Sequence, residues 1–123
     1  MKALLLAAGR GERMRPLSDT VAKPLLVAGG QRLIEWQIAA LARAGVGEIV
    51  VNTAHLARQI AETLGDGGRY GVRLRYSREG DGAAEALETL GGIVHALPLL
   101  GAAPFVVASS DIVTDFDYAT LAA

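Results

Sequence analysis

Apolar positions along this chain follow two periods, and segments of the two kinds alternate. Residues 2–7 contain the unbroken run Ala3-Leu-Leu-Leu-Ala7, the pattern of a strand buried on both faces. Glu48-Ile-Val-Val-Asn52 and Pro104-Phe-Val-Val-Ala108 repeat it. Val72, Leu74 and Tyr76 alternate with Arg73 and Arg75, which predicts a half-exposed strand nearer an edge of the sheet. Between these strands lie segments of helical period. In residues 33–44, Ile34, Ile38, Leu41 and Ala42 recur on one face, with Gly45 placed for a left-handed cap. In residues 56–64, Leu56, Ile60 and Leu64 are in register and Gly65 stops the helix. Residues 89–100 form a third helix with Ile93 and Leu97 on its buried face, and residues 117–123 begin another. Residues 65–71 read as a turn and residues 78–86 as a polar, flexible segment. Residues 10–28 follow neither period, and a connection of that length in a compact domain is usually functional.

Strands separated by helices imply right-handed crossovers and a parallel sheet. The expected fold is α/β: a three-layer, doubly wound, mainly parallel sheet of Rossmann-like type. In the common order 3-2-1-4 the topology switches between the first and fourth strands, and ligands bind there at the carboxyl ends. The loop after the first strand and Asp111 after the fourth then face one crevice.

Composition narrows the partners. The chain has 123 residues, enough for one domain, and 51% are hydrophobic but only 5% aromatic, so its core is aliphatic. A formal net charge of −1 gives no electrostatic reason to expect nucleic acid or a membrane surface. Without cysteine there is no disulfide, thiol nucleophile or cysteine-ligated zinc, which is compatible with a cytoplasmic location. The apolar run after Met1-Lys2 is short and enters Arg10, Glu12, Arg13 and Arg15 without a cleavage site, so it reads as a strand rather than a secretory signal.

The candidate chemistry lies directly after that strand. Gly9 and Gly11 let backbone approach a ligand, and Arg10, Arg13, Arg15 and Lys23 can neutralise a triphosphate. Two common phosphate loops do not fit. A dinucleotide fingerprint needs a third glycine where Met14 stands and an immediate helix where Pro16 stands, and strand two closes on Asn52 rather than an acidic residue. A P-loop needs Gly-Lys-Ser/Thr, which does not occur.

Leu6-Ala-Ala-Gly-x-Gly-x-Arg-Met-x-Pro16 followed by Lys23-Pro24-Leu25 closely resembles the opening signature of the sugar-1-phosphate nucleotidyltransferases. The resemblance continues through Ala44-Gly45-Val46, Val51-Asn52, Glu85-Ala-Leu-Glu-Thr89, Gly91-Gly92-Ile93, Ala96-Leu-Pro-Leu-Leu100 and Asp111. The chain departs from the pattern at Ala22, where proline is common, at Ser109-Ser110, where glycine is usual, and at Leu90, where a small residue is usual. The resemblance implies that Ala8, Gly9 and Gly11 contact the nucleotide and its phosphates. Arg13 would hold the β- and γ-phosphates and Lys23 the α-phosphate. Asp111 would ligate Mg²⁺, and Glu85, Thr89 and Gly91 would lie along the base and ribose. The implied reaction is an NTP plus a sugar 1-phosphate giving an NDP-sugar and pyrophosphate. The wording is most similar to the branch that uses UTP and N-acetylmuramate 1-phosphate in peptidoglycan recycling. A mannose-1-phosphate guanylyltransferase, another sugar and base, or a truncated non-catalytic nucleotide-binding module are the alternatives. Members of the family run well beyond the aspartate. Residues 1–123 are therefore expected to be the nucleotide-binding part of a domain whose sugar-binding part lies outside the chain. Oligomeric state is left open, a homo-oligomer included.

Other polar residues have plainer readings. His55 and His95 lack metal-ligand spacing to another histidine and read as structural or surface residues. Trp36 reads as packing, and Arg69, Arg73, Arg75 and Arg78 as a solvated face, with a contact to another subunit as the alternative. Glu85 and Glu88 also suit solvated loop carboxylates. Asp115 and Asp117 extend toward an acidic cluster, but Asp117 equally suits a helix cap.

Overall fold

The run after Lys2 folds as β1 (Lys2–Leu6), and its side chains feed two cores in alternation. The computed structural model describes residues 1–9, 15–79, 89–111 and 117–122. These form a four-stranded parallel sheet in the order β5-β4-β1-β6, with β4 at Glu48–Thr53, β5 at Arg73–Arg78 and β6 at Phe105–Ser109. In order of appearance this is the expected 3-2-1-4 arrangement. Register sets Leu6 between Asn52 and Ser109, so all three lie at the carboxyl end of the sheet.

Two helices cover one face. Ile34, Ile38 and Leu41 of α2 (Leu33–Arg43) and Ile60 and Leu64 of α3 (Ala57–Leu64) pack with Ala3, Leu5, Ile49 and Val51. On the other face, Ala96 and Leu100 of α4 (Thr89–Leu100) pack with Leu4 and Val50. Each such leucine, isoleucine or valine taken out of water contributes about 1.5–3 kcal/mol, and β1 gains on both faces at once. This is the three-layer arrangement the pattern predicted.

Several boundaries differ from the periodic reading. Residues 15–32 are not irregular throughout. They contain a short helix α1 (Leu17–Thr20), a 3-10 turn (Lys23–Leu25) and a small antiparallel hairpin of β2 (Val27–Ala28) and β3 (Gln31–Arg32). The hairpin turn is Gly29-Gly30, with φ of 62° and 91°, the left-handed pair that a two-residue hairpin turn requires. Trp36 holds it from α2, donating its indole N–H to the Ala28 carbonyl at 2.8 Å. Two-residue strands are too short to leave a period in the sequence.

Leu56 was expected inside α3, but its φ of 54° makes it the left-handed residue before the helix. Leu97 was expected on the buried face of α4. It is 41% exposed, and Ala96 and Leu100 take that face instead. Val72 precedes β5 rather than opening it, because Gly67 closes the preceding turn by accepting from the Val72 N–H at 3.3 Å. The last helix, α5, covers Ala119–Ala122, and the Asp117 carboxylate accepts the Ala119 N–H at 3.0 Å, the capping role foreseen for it.

Candidate functional site

The carboxyl ends of β1 and β6 are pinned together by Ser110. Its backbone N–H and its hydroxyl both donate to the Leu6 carbonyl, at 3.2 and 2.7 Å. The chain leaving β1 runs through buried Ala7 and Ala8 to exposed Gly9. A Cβ at Gly9 would meet no protein atom within 4 Å. Packing among the described residues therefore does not demand the glycine, and the open side is free for a ligand to approach backbone.

Asp111 follows Ser110 at the same end of the sheet. Its Oδ2 lies 2.9 Å from Lys23 Nζ, and its Oδ1 accepts the Ser109 hydroxyl at 2.5 Å. Partial burial alone would raise the Asp111 pKa. The hydrogen bond from Ser109 and the hydrogen bond and charge of Lys23 outweigh that and hold it below the usual carboxylate range. Asp111 is thus an anion at neutral pH.

Lys23 is delivered by a clamp from α3. Gln59 Oε1 accepts the Ala22 N–H at 2.7 Å, and its Nε2 donates to the Thr20 carbonyl at 2.8 Å. One side chain thereby fixes both ends of the turn entering Lys23. Pro24 and Leu25 bury the turn's apolar side beneath it. Lys23 and Asp111, singled out separately in the sequence, meet in space.

A second polar group lies behind the loop. Asn52, 3% exposed at the end of β4, accepts the Ala7 N–H through Oδ1 at 2.5 Å and donates through Nδ2 to Glu79 Oε1 at 3.0 Å. Glu79 is itself 7% exposed, and its backbone N–H extends the β4–β5 ladder by donating to the Thr53 carbonyl at 2.7 Å. Neither residue carries a role that sequence alone points to: Asn52 stands where a dinucleotide fold would have an acidic residue, and Glu79 falls in a polar segment. The available signal was an amide ending an apolar strand, which in a buried position must find partners.

The other expected residues divide by place. Gly11, Arg13, Glu85, Glu88 and Asp115 lie outside the described residues. Thr89 is the first residue of α4, and Gly91 lies in its first turn. Leu90 between them is 74% exposed. His95 ties α4 to the end of β5 through a 2.9 Å contact between Nε2 and the Arg78 carbonyl. Arg69 donates to the Thr63 carbonyl at 2.5 Å and to the Tyr70 hydroxyl at 2.6 Å, and Arg75 pairs with Glu48 at 3.3 Å. Those two arginines are held locally rather than forming a purely solvated face.

Among the described residues no group of three or more carboxylates and histidines could hold a metal by itself. A single ionised carboxylate is nevertheless a donor set that suits Mg²⁺, which keeps several waters and takes its other ligands from substrate phosphates. Asp111 meets that requirement. A hollow of about 530 Å³ at the other end of the sheet, bordered by Lys2, Glu48 and Arg73, lies away from these groups. No described helix is long and apolar enough to cross a membrane.

Comparison with known proteins places this arrangement. The family model described as nucleotidyl transferase matches residues 2–123. An N-acetylmuramate alpha-1-phosphate uridylyltransferase of Neisseria meningitidis serogroup B is 57% identical over 118 residues, covering 96% of this chain and 50% of that protein. A UTP–glucose-1-phosphate uridylyltransferase of Synechocystis is 35% identical, covering 98% of this chain and 33% of that protein. A mannose-1-phosphate guanyltransferase of Yarrowia lipolytica is 38% identical, covering 99% and 33%. The chain thus spans half the length of the first of these relatives and a third of the others. Among solved structures, a Bacillus anthracis protein described as a glucose-1-phosphate thymidylyltransferase superposes with a TM-score of 0.88 at 24% identity, covering 99% of this chain and 48% of that one. A UDP-glucose pyrophosphorylase complexed with UDP-glucose gives 0.74 at 23% identity, covering 94% and 48%. At that identity the superpositions speak to the fold.

Proposed function

Because the chain belongs to the nucleotidyl transferase family, we propose that it forms the nucleotide-binding part of an enzyme that transfers a nucleotidyl group from an NTP to a sugar 1-phosphate. UTP and N-acetylmuramate 1-phosphate are the proposed pair, and pyrophosphate is the second product. The observation that carries this reading is the Lys23–Asp111 pair at the carboxyl ends of β1 and β6, where open α/β sheets bind ligands. The choice of substrates is supported by the 57% identity to the Neisseria uridylyltransferase.

In the proposed reaction a phosphate oxygen of the sugar 1-phosphate attacks the α-phosphorus of the nucleotide. The bond to the β-phosphate oxygen breaks, and pyrophosphate leaves. The attacking oxygen is already anionic, so no protein base or nucleophile is needed. What the protein supplies is position and compensation of charge. Backbone from Ala8 through Gly9 and Gly11 receives the phosphates. Arg13 compensates the β- and γ-phosphates. Lys23, whose ammonium carries three donors, can keep Asp111 on one and offer the others to the α-phosphate. Thr89 and Gly91 of α4, with Glu85, lie along the base and ribose. Asp111 would hold Mg²⁺, which when bound neutralises phosphate charge. The proposed setting is cytoplasmic recycling of cell-wall sugars, where the triphosphate is available.

The test is pyrophosphate release from each of the four common NTPs against a panel of sugar 1-phosphates, using the natural full-length protein. Release is expected with UTP and N-acetylmuramate 1-phosphate. Release confined to GTP and mannose 1-phosphate would reassign the substrates. Nucleotide binding without release from any pair would leave a non-catalytic nucleotide-binding module.

A further inference from the structure

We propose that Asn52 and Glu79 act as a positioning pair that holds the phosphate loop and α4 in one fixed relation, so that the orientation of a single buried amide sets nucleotide affinity. The proposal rests on the nucleotide-binding reading above. Neither side chain is exposed enough to touch a substrate, so both are positioning residues rather than catalytic ones.

Each end of the Asn52 amide is used. Ala7 is the first residue beyond β1, and its N–H is buried where the strand ladder has ended. Asn52 Oδ1 accepts that N–H at 2.5 Å and thereby fixes the backbone two residues before Gly9. An amide can be turned either way. Ala7 decides the direction, because a backbone N–H only donates and must face the amide oxygen. That leaves the Asn52 NH₂ to donate to Glu79 Oε1, at 3.0 Å.

The same pair seats α4. A Cβ on Gly92 would lie 2.6 Å from Glu79 Oε1 and 2.8 Å from Asn52 Nδ2. The helix therefore sits directly on the two polar heads, and any larger residue there would have to displace one of them. His95, one turn further along, grips the Arg78 carbonyl next to Glu79 in sequence. Backbone that would receive the phosphates and the helix that would line the base thus rest on the same pair, the first by a hydrogen bond and the second by close packing. Both polar heads lie against Gly92, so the hydrogen-bonded pair as a whole joins Ala7 to α4.

The test reverses the direction of the bond in the full-length protein. Asn52→Asp removes the NH₂ that donates to Glu79, whereas Asn52→Asp with Glu79→Gln restores a donor facing an acceptor and still accepts from Ala7. The first readout needs no ligand: hydrogen-exchange protection of the Ala7 amide. The second is the affinity for UTP with Mg²⁺. Asn52→Asp is expected to lower Ala7 protection and UTP affinity by about tenfold or more. The double variant is expected to recover most of both losses. Asn52→Ala, which removes the amide without adding charge, serves if Asn52→Asp does not fold, with the same loss expected at Ala7. Unchanged Ala7 protection in either single variant, or a double variant no better than Asn52→Asp, overturns the pair. Lost Ala7 protection with unchanged UTP affinity overturns its coupling to the nucleotide. Absence of UTP binding by the unsubstituted protein overturns the nucleotide-binding reading itself, and Ala7 alone then decides the pair.

Discussion

Lys23 Nζ lies 2.9 Å from Asp111 Oδ2, joining the first long connection of the chain to the turn that ends β6. The pair is partly exposed on both sides, at 28% and 31%. A contact of that kind is worth about 0–1 kcal/mol of stability, so its tight geometry answers to charge placement more than to folding. Lys23→Ala is expected to leave the fold intact and to raise the Asp111 pKa toward its ordinary value. A carbon-detected carboxyl titration checks this. The sign follows from linkage. A depressed folded pKa contributes stability above the unfolded value, and that contribution is lost as pH falls through the folded value. Any acid-range advantage of the wild-type protein over Lys23→Ala should therefore disappear below that folded pKa.

Gln59 should matter more to stability than its surface position on a short helix suggests. Gln59→Ala leaves the Ala22 N–H, on a residue only 2% exposed, without its acceptor. The expected cost is about 1–3 kcal/mol in denaturant unfolding. Because the same side chain holds the Thr20 carbonyl, UTP affinity should fall as well. An unfolding midpoint equal to wild type would remove the clamp from the account.

Tyr76 offers a spectroscopic check on packing at the edge strand. Burial pushes its pKa up to about 12, and its hydroxyl donates to the Gly65 carbonyl at 2.6 Å. In an absorbance titration the last phenol to ionise should do so well above the ordinary value of 10, and that last step should vanish in Tyr76→Phe. The unfolded chain loses this proton first, so the tyrosine's contribution to stability is full below pH 10 and drains away as pH rises through about 12.

Leu5 is fully buried in the core beneath α2 and α3. Leu5→Ala should cost about 2–5 kcal/mol, the range for deleting a buried leucine side chain, and calorimetry would show the lowered Tm. A change below about 1 kcal/mol would mean that the packing of β1 collapses to fill the gap.

The sequence revealed what depends on period and on local chemistry. Leu4, Val50 and their neighbours announced buried parallel strands, and Ile34, Ile38 and Leu41 announced the helix that covers them. The crossover rules then brought the loop after β1 and Asp111 toward one crevice, and the structure sets Lys23 against that aspartate. What stayed hidden depends on contacts between distant segments. Nothing around Asn52 says that its amide meets Ala7, because that bond spans 45 residues. Glu79 looks like the start of a polar loop and becomes a buried acceptor only once α4 lies over it. The Gly29-Gly30 turn was visible as a dipeptide, but its two-residue strands carry no period to flank it. Leu97 misled for another reason: α4 is apolar on more than one side, so period alone could not choose between Leu97 and Ala96.

The most direct test of the account compares turnover in the wild-type protein, Lys23→Ala and Asp111→Ala, read as pyrophosphate released from UTP and N-acetylmuramate 1-phosphate with Mg²⁺. Lys23→Ala removes positive charge beside the reacting phosphates and Asp111→Ala removes the carboxylate that would hold Mg²⁺ there, and a loss of about a hundredfold or more in kcat is expected for each with the fold retained. Near wild-type turnover in either variant would contradict the central claim that Lys23 and Asp111 together form the phosphate end of a nucleotidyl-transfer site.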